Sequence, residues 1–486
     1  MGKEILNLEP KNVWKHFYTL TQIPRPSGHE AASIAAIKKF GDEAGLETEI
    51  DEVGNLMIRK PATPGMENRK GIILQGHVDM VPQKNNDTNH DFEKDPIDAW
   101  IDGEWVKAKG TTLGADNGIG VAAAMAVLEA KDIEHGMVEA LFTIDEETGM
   151  TGAFGLKPGF LKGDVLLNLD SEDEGELYIG CAGGVNGSFT FNYQEVAVPD
   201  HHIAYKIVVK GLKGGHSGLD INLGRGNSNK LLFRFLYHST KRHGLRLAAF
   251  EGGNLRNAIP REAWAIISIP ADNKEKFEKC FAKNVEKIKK ELSVTEPGLE
   301  MFLENTGIPA ALIDEKAQTA VINSVYVCPN GVIRLSDAMP GLVETSTNLA
   351  ITKSENGGIL VKCLLRSSVD SAKDDLAAMM EALFSLAGAK CEFEGAYPGW
   401  KPNPDSAILN TMKEVYNHKF GKIPEVKAIH AGLECGLIGG VYPNLDMISF
   451  GPTMRFPHSP DEKLNIATVQ KFYDFLVETL KNAPLK

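Results

Sequence analysis

Residues that are able to bind a metal ion recur at similar places along the sequence. In chain order they are His77, Asp116, Glu147, Asp170 and His458. Two imidazoles and three carboxylates suit zinc or a similar divalent ion, and they can form two sites that share one carboxylate. A pair of metal ions about 3.5–4 Å apart activates water and polarises a carbonyl group. The set therefore predicts two-metal hydrolytic chemistry.

Each of these residues also has a simpler explanation when it is taken alone. Asp116 can cap a helix, and Asp170 can be a turn residue. His458 can be an ordinary loop histidine, and the carboxylates at 145–147 can form an exposed acidic turn. Their joint occurrence at strand ends favours the metal-site interpretation over these alternatives.

Two further carboxylates stand next to the candidate ligands. Asp79 comes two residues after His77, and residues i and i+2 of a strand face the same side, so Asp79 can orient the imidazole ring. Glu146 directly precedes Glu147, and a carboxylate that is not a ligand can move a proton from water to a leaving amine. We therefore expect Asp79 and Glu146 to be catalytic residues.

Short apolar runs position these residues. The runs cover 71–76, 140–145, 164–169 and 447–452, and each fits a strand that is buried on both faces. Ligands of open α/β sheets bind outside the carboxyl ends of the strands. Helical patterns cover 11–20, 29–43, 117–130 and 468–481, and two strands are expected within 47–60. The pattern predicts an α/β fold, with a sheet domain flanked by helices.

The fourth apolar run lies far beyond the third, which indicates a long insertion within the sheet domain. We predict a catalytic domain in two parts, 1–186 and 396–486, and an inserted α+β lid and dimerisation domain over 187–395. The insertion alternates strand-like and helix-like segments at 203–209, 228–243, 263–269 and 274–292. A looser version follows, with segments at 320–328, 341–352 and 359–367 before a helix over 371–386. The insertion is therefore expected to hold two similar α+β units.

Composition excludes several classes of protein. Lys and Arg total 52 and Asp and Glu total 65, so the net charge is −13, which disfavours binding to nucleic acid or anionic membranes. No apolar run approaches the roughly 20 residues of a membrane span, and the first residues lack a signal-peptide layout. The 6 cysteines are scattered without a C-x-x-C pair, so a reducing cytoplasm is expected.

Several longer stretches resemble the co-catalytic zinc peptidase family that includes carnosinases and carboxypeptidase G-like enzymes. They cover 76–80, 113–120, 143–149, 167–170, 214–218, 253–260 and 456–460, and so run through nearly the entire chain. Within that family, the whole chain resembles the aminoacyl-histidine dipeptidase (Xaa-His dipeptidase, peptidase D) branch. The resemblance implies two Zn²⁺ ions per chain. His77 and Asp170 bind one, Glu147 and His458 bind the other, and Asp116 bridges them.

The resemblance also implies roles for the remaining groups of the centre. Asp79 clamps the ring of His77, and Glu146 acts first as the general base and then as the general acid. A cis peptide bond is expected after Asp116. Mn²⁺ and Co²⁺ are possible substitutes, because the same ligands accept them.

Four residues are candidates for contact with the substrate. His216 resembles a lid histidine that, in dimeric members, enters the other subunit's active site and stabilises the oxyanion. Asn257 resembles a substrate-binding amide, and Arg366 suits bidentate capture of a terminal carboxylate. Glu434 is a candidate to bind a free amino group. The simpler alternatives are a polar strand-end histidine, a turn asparagine and a surface or interface arginine.

These observations predict a cytoplasmic di-zinc dipeptidase, a homodimer through its lid domain, that hydrolyses short unblocked dipeptides including Xaa-His dipeptides. Two alternatives stay open at this point. A related metal-dependent amidohydrolase can act on N-acyl amino acids or on longer peptides. A non-catalytic binding protein can also use the same fold, although it has no need of Glu146 or the full ligand set.

Overall fold

The computed structural model describes residues 2–486. Its helices are α1 (Lys11–Thr21), α2 (Ala31–Glu43), α3 (Ala115–Glu129), α4 (Thr151–Gly155), α5 (Ser228–His243), α6 (Lys274–Glu291), α7 (Glu315–Val327), α8 (Asp370–Leu386), α9 (Ala407–Phe420), α10 (Glu434–Val441) and α11 (Ile466–Lys481). None of the helices within residues 2–486 combines the length and the apolar character that crossing a bilayer requires.

The strands, in chain order, are β1 (Glu47–Ile50), β2 (Leu56–Lys60), β3 (Ile72–His77), β4 (Ala99–Asp102), β5 (Trp105–Ala108), β6 (Val138–Thr143), β7 (Val165–Asn168), β8 (Glu176–Cys181), β9 (Gly183–Asn192), β10 (Glu195–Val196), β11 (His202–Lys210), β12 (Arg246–Gly252), β13 (Ala263–Pro270), β14 (Glu300–Asn305), β15 (Leu312–Ile313), β16 (Gly331–Leu335), β17 (Val343–Glu355), β18 (Gly358–Ser367), β19 (Lys390–Tyr397), β20 (Glu425–Ile429), β21 (Asp446–Ser449), β22 (Met454–Arg455) and β23 (Lys463–Asn465).

Two compact units make up these residues. The first unit contains residues 2–180, 402–428 and 433–486, and the second contains 181–401 and 429–432. The predicted boundaries at 186 and 395 stay a prediction, as does the assignment of the insertion as a lid and dimerisation domain.

The main sheet of the first unit has the strand order β1-β2-β6-β3-β7-β21-β8-β20. Its central strands β6, β3, β7 and β21 run parallel, while β1 and β2 are antiparallel. Every side chain of β3, β6 and β7 is buried, which explains why these segments are apolar along their whole length. The prediction of an α/β fold with strands in these four runs is therefore confirmed.

Helix α3 packs against β3 and α1, and its alanines and glycines allow this close approach. The predicted helices over 11–20, 29–43, 117–130 and 468–481 correspond to α1, α2, α3 and α11. A smaller sheet of the first unit, in the order β22-β23-β5-β4, holds the loop between β22 and β23. That loop carries His458.

The second unit is built on an antiparallel sheet in the order β14-β11-β13-β12-β17-β18-β9-β19, with β16 paired to β17. Helices α5 to α8 contribute buried aromatic and aliphatic side chains to its core, among them Phe233, Phe277, Val321 and Phe384. The expected strands at 203–209 and 263–269 correspond to β11 and β13, and the segments at 341–352 and 359–367 form β17 and β18. The expected helices at 228–243, 274–292 and 371–386 correspond to α5, α6 and α8.

Residues 320–328 differ from the expected pattern, because most of them belong to helix α7. The segment therefore does not match the strand that opens the first half of the insertion. Its β-branched composition favours a strand locally. However, the Asp314 side chain caps the helix by accepting the N–H of Ala317 at 3.0 Å. Ala317, Val321 and Val325 then recur at every fourth position and are buried, which selects the helix.

Replacement of Gly451, which follows β21, tests how tightly the backbone is packed at this edge of the sheet. A Cβ atom at Gly451 would lie 1.8 Å from the carbonyl oxygen of Ser171, directly after Asp170. We expect Gly451→Ala to lower the free energy of unfolding by about 1–3 kcal/mol, measured by urea denaturation. Gly307→Ala is the control, since its Cβ would meet nothing within 4 Å. Equal unfolding midpoints for the two variants would contradict this packing.

Candidate active site

The candidate metal ligands converge at the carboxyl edge of the parallel strands. His77 is the last residue of β3, Glu147 follows β6, and Asp170 follows β7. Asp116 lies at the start of α3, and His458 lies between β22 and β23. The carboxyl ends of parallel strands share one edge of a sheet, so these residues meet although they are far apart in sequence.

Asp116 stands between the two histidines and contacts each with a different oxygen. His77 Nε2 lies 3.1 Å from Asp116 Oδ1 and 3.4 Å from Asp170 Oδ1. His458 Nε2 lies 3.2 Å from Asp116 Oδ2 and 3.0 Å from Glu147 Oε2. The side chains thus form two groups, His77 with Asp170 and His458 with Glu147, and the carboxylate of Asp116 belongs to both.

This arrangement fits divalent cations. The donor atoms lie within 4.8 Å of one another in three groups, which are His77-Asp116-Asp170, Asp116-Glu147-His458 and His77-Glu146-Glu147. Glu147 Oε1 is buried and has no hydrogen-bond partner among the described residues, and the buried Asp170 Oδ1 has the 3.4 Å contact with His77 Nε2. Buried carboxylate oxygens require a partner, and a cation between these groups would provide one.

The pKa shifts in the cluster also favour a bound cation. Asp116 and Glu147 raise the pKa of His458 to about 11. Burial opposes a charge on His77, but Asp170 and its neighbours raise the pKa of that imidazole above its usual value. Burial raises the pKa of Asp170 to about 7, and Asp116 adds to the rise. The carboxylates therefore stabilise positive charge at the centre, which is what a divalent ion supplies.

Asp79 connects the ring of His77 to the loop that follows β6. Its Oδ1 lies 3.3 Å from His77 Nδ1 and accepts the N–H of Glu146 at 3.0 Å. Its Oδ2 accepts the N–H of Glu147 at 3.2 Å and the hydroxyl of Ser27 at 2.7 Å. Burial alone would raise the pKa of Asp79, but the contacts with His77 and Ser27 lower it to about 2. A permanently ionised carboxylate here orients the imidazole and holds the loop.

Glu146 lies in the same loop and differs in its protonation behaviour. Burial raises the pKa of Glu146 well above its usual value, and the neighbouring Asp170, Glu434 and Glu147 raise it further, while His77 opposes the rise. Carboxyl groups that transfer protons in enzymes have their pKa values raised in this direction by burial and by neighbouring charges. The environment of Glu146 therefore suits proton transfer.

Glu434, the first residue of α10, lies at the same sheet edge. Its Oε2 accepts hydrogen bonds from Gln75 Nε2 at 2.6 Å and from Thr143 Oγ1 at 2.9 Å. Its Oε1 is buried with no hydrogen-bond partner in residues 2–486. Burial raises the pKa of Glu434 to about 7. One carboxylate oxygen is thus left for a ligand.

The other candidate substrate residues lie in the second unit. His216 Nδ1 accepts the N–H groups of Gly218 at 3.2 Å and Leu219 at 3.1 Å, so its proton is on Nε2. Burial and the positive charge of Arg366 lower the pKa of His216. The imidazole is therefore a neutral N–H donor with a fixed tautomer. Asn257 is exposed. Its backbone carbonyl accepts the N–H of Ser217 at 2.8 Å.

Arg366, near the end of β18, is 5% exposed. Its Nη1 donates to the hydroxyl of Tyr397 at 3.0 Å, while its Nε is buried without a hydrogen-bond partner within the described chain. His430, which sequence reasoning did not select, has its Nε2 2.7 Å from Ser346 Oγ. Burial, Arg366 and His216 lower the pKa of His430 to about 3. The only pointer to His430 in the sequence is its place four residues before Glu434.

Sequence reasoning also missed the residues that hold the ligand-bearing backbone. Arg25 and Glu462 are both buried and bond to the segment around Gly114, and Glu30 accepts the N–H of Asp145 at 3.1 Å. For Glu462, the only local signal is its place four residues after His458. The peptide bond between Asp116 and Asn117 is cis, as the resemblance implies.

The sequence and fold are similar to those of known peptidases. The sequence profile of the peptidase family M20/M25/M40 matches residues 73–482. The cytosol non-specific dipeptidase of Escherichia coli K12 is 48% identical over 483 residues, which are 99% of this chain and 100% of that protein. The crystal structure of the aminoacylhistidine dipeptidase from Vibrio alginolyticus is 51% identical, covers 100% of both chains and has a TM-score of 0.96. The crystal structure of aminopeptidase PepT from Bacillus cereus has a TM-score of 0.57 and covers 98% of this chain and 99% of its own. Its sequence identity is 16%, so this similarity is evidence for a shared fold alone.

Replacing Asp79 tests its role at the centre. In Asp79→Asn an amide nitrogen would face one of the donors from Ser27, Glu146 and Glu147. His77 Nδ1 would lose the carboxylate beside it. We expect the affinity for divalent metal to fall about 10–100-fold, measured by competition with a chromophoric chelator.

Asp446→Asn is the matched control for this change. Asp446 also accepts a hydroxyl, from Ser406, and a backbone N–H, from Ile408, but it lies at the amino end of β21. Its replacement should leave metal affinity unchanged. Equal affinities in Asp79→Asn and Asp446→Asn would show that Asp79 does not support the metal site.

Proposed function

The chain belongs to the peptidase family M20/M25/M40, and we propose that it is a dipeptidase that uses two Zn²⁺ ions to hydrolyse short unblocked dipeptides. Xaa-His dipeptides such as β-alanyl-histidine are included. The observation that carries the proposal is the shared position of Asp116 between two histidine-carboxylate groups. The nearly full-length similarity to the two dipeptidases supports the same reaction.

His77 and Asp170 would hold one ion, Glu147 and His458 the other, and Asp116 both. Imidazole nitrogen and carboxylate oxygen suit Zn²⁺, and they also accept Mn²⁺ or Co²⁺. The buried Oε1 of Glu147, which has no hydrogen-bond partner among the described residues, supports this assignment. When bound, such a metal pair acidifies water and polarises the carbonyl of the substrate.

Glu146 carries out the proton transfers. Its carboxylate accepts a proton from the attacking water, and its carboxylic acid then delivers that proton to the nitrogen of the leaving amine. The raised pKa of Glu146 supports both steps. Asp79 keeps the backbone of Glu146 and the ring of His77 in place through the contacts described above.

We assign the remaining candidate residues to parts of a dipeptide by their chemistry. Arg366 provides a buried guanidinium for the terminal carboxylate, and the free oxygen of Glu434 accepts from the terminal ammonium. The neutral N–H of His216 donates to the oxyanion, and the amide of Asn257 binds the peptide. These four roles favour a substrate with both termini free.

We extend the proposal to location and assembly. The relative from Escherichia coli is named a cytosol dipeptidase, which supports a cytoplasmic enzyme. The resemblance of His216 to a histidine that acts across subunits supports a homodimer through the inserted domain at 187–395. A mass in solution of a single chain, with activity independent of dilution, would exclude the dimer.

Initial hydrolysis rates on a panel of substrates test the activity. The panel contains free dipeptides, among them several Xaa-His members, together with a tripeptide, an N-acetylated dipeptide and an N-acyl amino acid. We expect rapid cleavage of the free dipeptides, loss of cleavage after chelation and its return with Zn²⁺. Faster cleavage of the acylated or longer substrates would contradict the dipeptidase assignment, and silence on the whole panel would favour a binding protein.

Glu146→Gln tests the proton-transfer role, because the amide keeps the volume of the side chain but cannot accept the proton. We expect kcat to fall about 10²–10⁴-fold while metal content, measured by elemental analysis, stays at the wild-type level. The exposed Glu52→Gln is the control and should keep full activity. A kcat near the wild-type value in Glu146→Gln would refute the assigned role.

A further inference from the structure

Glu462 makes an unusual set of contacts for a buried carboxylate. Its Oε2 accepts the backbone N–H groups of Leu113 at 2.6 Å and Gly114 at 3.0 Å. Its Oε1 accepts those of Ala115 at 2.8 Å and Asp116 at 3.2 Å. The residue is 1% exposed, so both oxygens are fully engaged with four successive residues.

These four N–H groups need an acceptor from outside the helix. Those of Ala115 and Asp116 belong to the first two residues of α3, and those of Leu113 and Gly114 come directly before it. Backbone N–H groups at a helix start have no partner one turn earlier. A helix N-terminus is a favourable place for a negative charge, and here Glu462, distant in sequence, provides it. The last of the four groups belongs to Asp116, the carboxylate shared by both histidines. The position of the Asp116 backbone is therefore set by Glu462.

Arg25 holds the same segment from its carbonyl side. Its guanidinium donates to the carbonyl of Gly114 and to that of Val78 at 2.6 Å. A Cβ atom at Gly114 would lie 2.6 Å from Arg25 Nη2, and Gly114 has a φ of +69°, so a glycine is required there. The segment before Asp116 is thus held on both sides by buried side chains, Arg25 at its carbonyl groups and Glu462 at its N–H groups.

Glu462 also belongs to the loop that carries His458. It comes four residues after that histidine, and its own N–H donates to the carbonyl of Ser459 at 2.9 Å. One side chain therefore ties the backbone of the His458 loop to the backbone of Asp116. The side chains of His458 and Asp116 meet at 3.2 Å.

We propose that Glu462 is a positioning residue of the metal centre, which sets the separation of Asp116 and His458 and thereby the metal affinity. It does not touch the metal or the substrate, and it acts through the backbone of its neighbours. The proposal rests on the proposed metal binding, but not on the identity of the substrate.

The purified full-length protein tests this inference in a titration without any dipeptide. Affinity for Zn²⁺ is measured by competition with a chromophoric chelator, and the visible spectrum of the Co²⁺-loaded protein reports the ligand geometry. In Glu462→Gln an amide group replaces one oxygen and faces two N–H donors. We expect Zn²⁺ affinity to fall about 10–100-fold and the Co²⁺ bands to shift.

Glu139→Gln is the matched control. Glu139 is also buried, and its Oε2 accepts two successive backbone N–H groups, from Lys162 and Gly163, each at 2.8 Å. It lies at the amino end of β6, away from the ligands. Its replacement should lower stability and leave both Zn²⁺ affinity and the Co²⁺ spectrum at their wild-type values.

Glu462→Asp keeps the carboxyl group but shortens the side chain. If Glu462→Gln does not fold, this variant tests whether Glu462 positions the metal centre. It should reach fewer of the four N–H groups and show weaker Zn²⁺ binding. Wild-type affinity and an unchanged Co²⁺ spectrum in a folded Glu462 variant, even one with a lowered Tm, would overturn the proposal. A wild-type protein that binds Zn²⁺ but cleaves no dipeptide would instead refute the proposed function and leave this test intact.

Discussion

Burial of several carboxylates at one edge of a parallel sheet is the constraint on which the rest of this structure depends. Negative groups in a poorly solvated environment repel one another and take up protons, as the raised pKa values of Asp170 and Glu146 show. Positive charge placed among them relieves this repulsion and leaves them ionised. His77 and His458 occupy that place, and divalent ions suit it better because each can contact several carboxylates at once. The centre is therefore built to hold cations.

Holding such a cluster requires support at two levels. Asp79 fixes the orientation of one imidazole and the backbone of the loop after β6. Beyond it, Arg25 and Glu462 bond to the backbone itself, on the carbonyl and the amide side of the segment before Asp116. Burial lowers the pKa of Arg25 to about 10, so its charge persists at neutral pH and offsets nearby carboxylates. The candidate ligands converge because the strands are parallel, and we propose that these buried contacts set their separations.

Much of this arrangement could be predicted from the sequence, since it depends on local patterns. The strands β3, β6 and β7 are apolar runs with metal-capable residues at or just after their ends, and β21 is an apolar run that precedes the loop of His458. The family resemblance is confirmed by the nearly full-length similarity. What escaped prediction depends on contacts between distant residues. Glu462 bonds to a segment more than 340 residues earlier. Most of residues 320–328 belong to helix α7, which a cap and core packing select over their strand propensity. The roles of His216, Asn257, Arg366 and Glu434 stay predictions.

The central claim is that two ions share the carboxylate of Asp116. Anomalous diffraction at the zinc absorption edge, from crystals of the chelated and zinc-restored protein, tests it most directly. The account predicts two peaks, each about 2.0–2.1 Å from one imidazole nitrogen, His77 Nε2 or His458 Nε2, and about 2.0–2.2 Å from a different oxygen of Asp116. A single peak, or two peaks of which only one contacts Asp116, would contradict it.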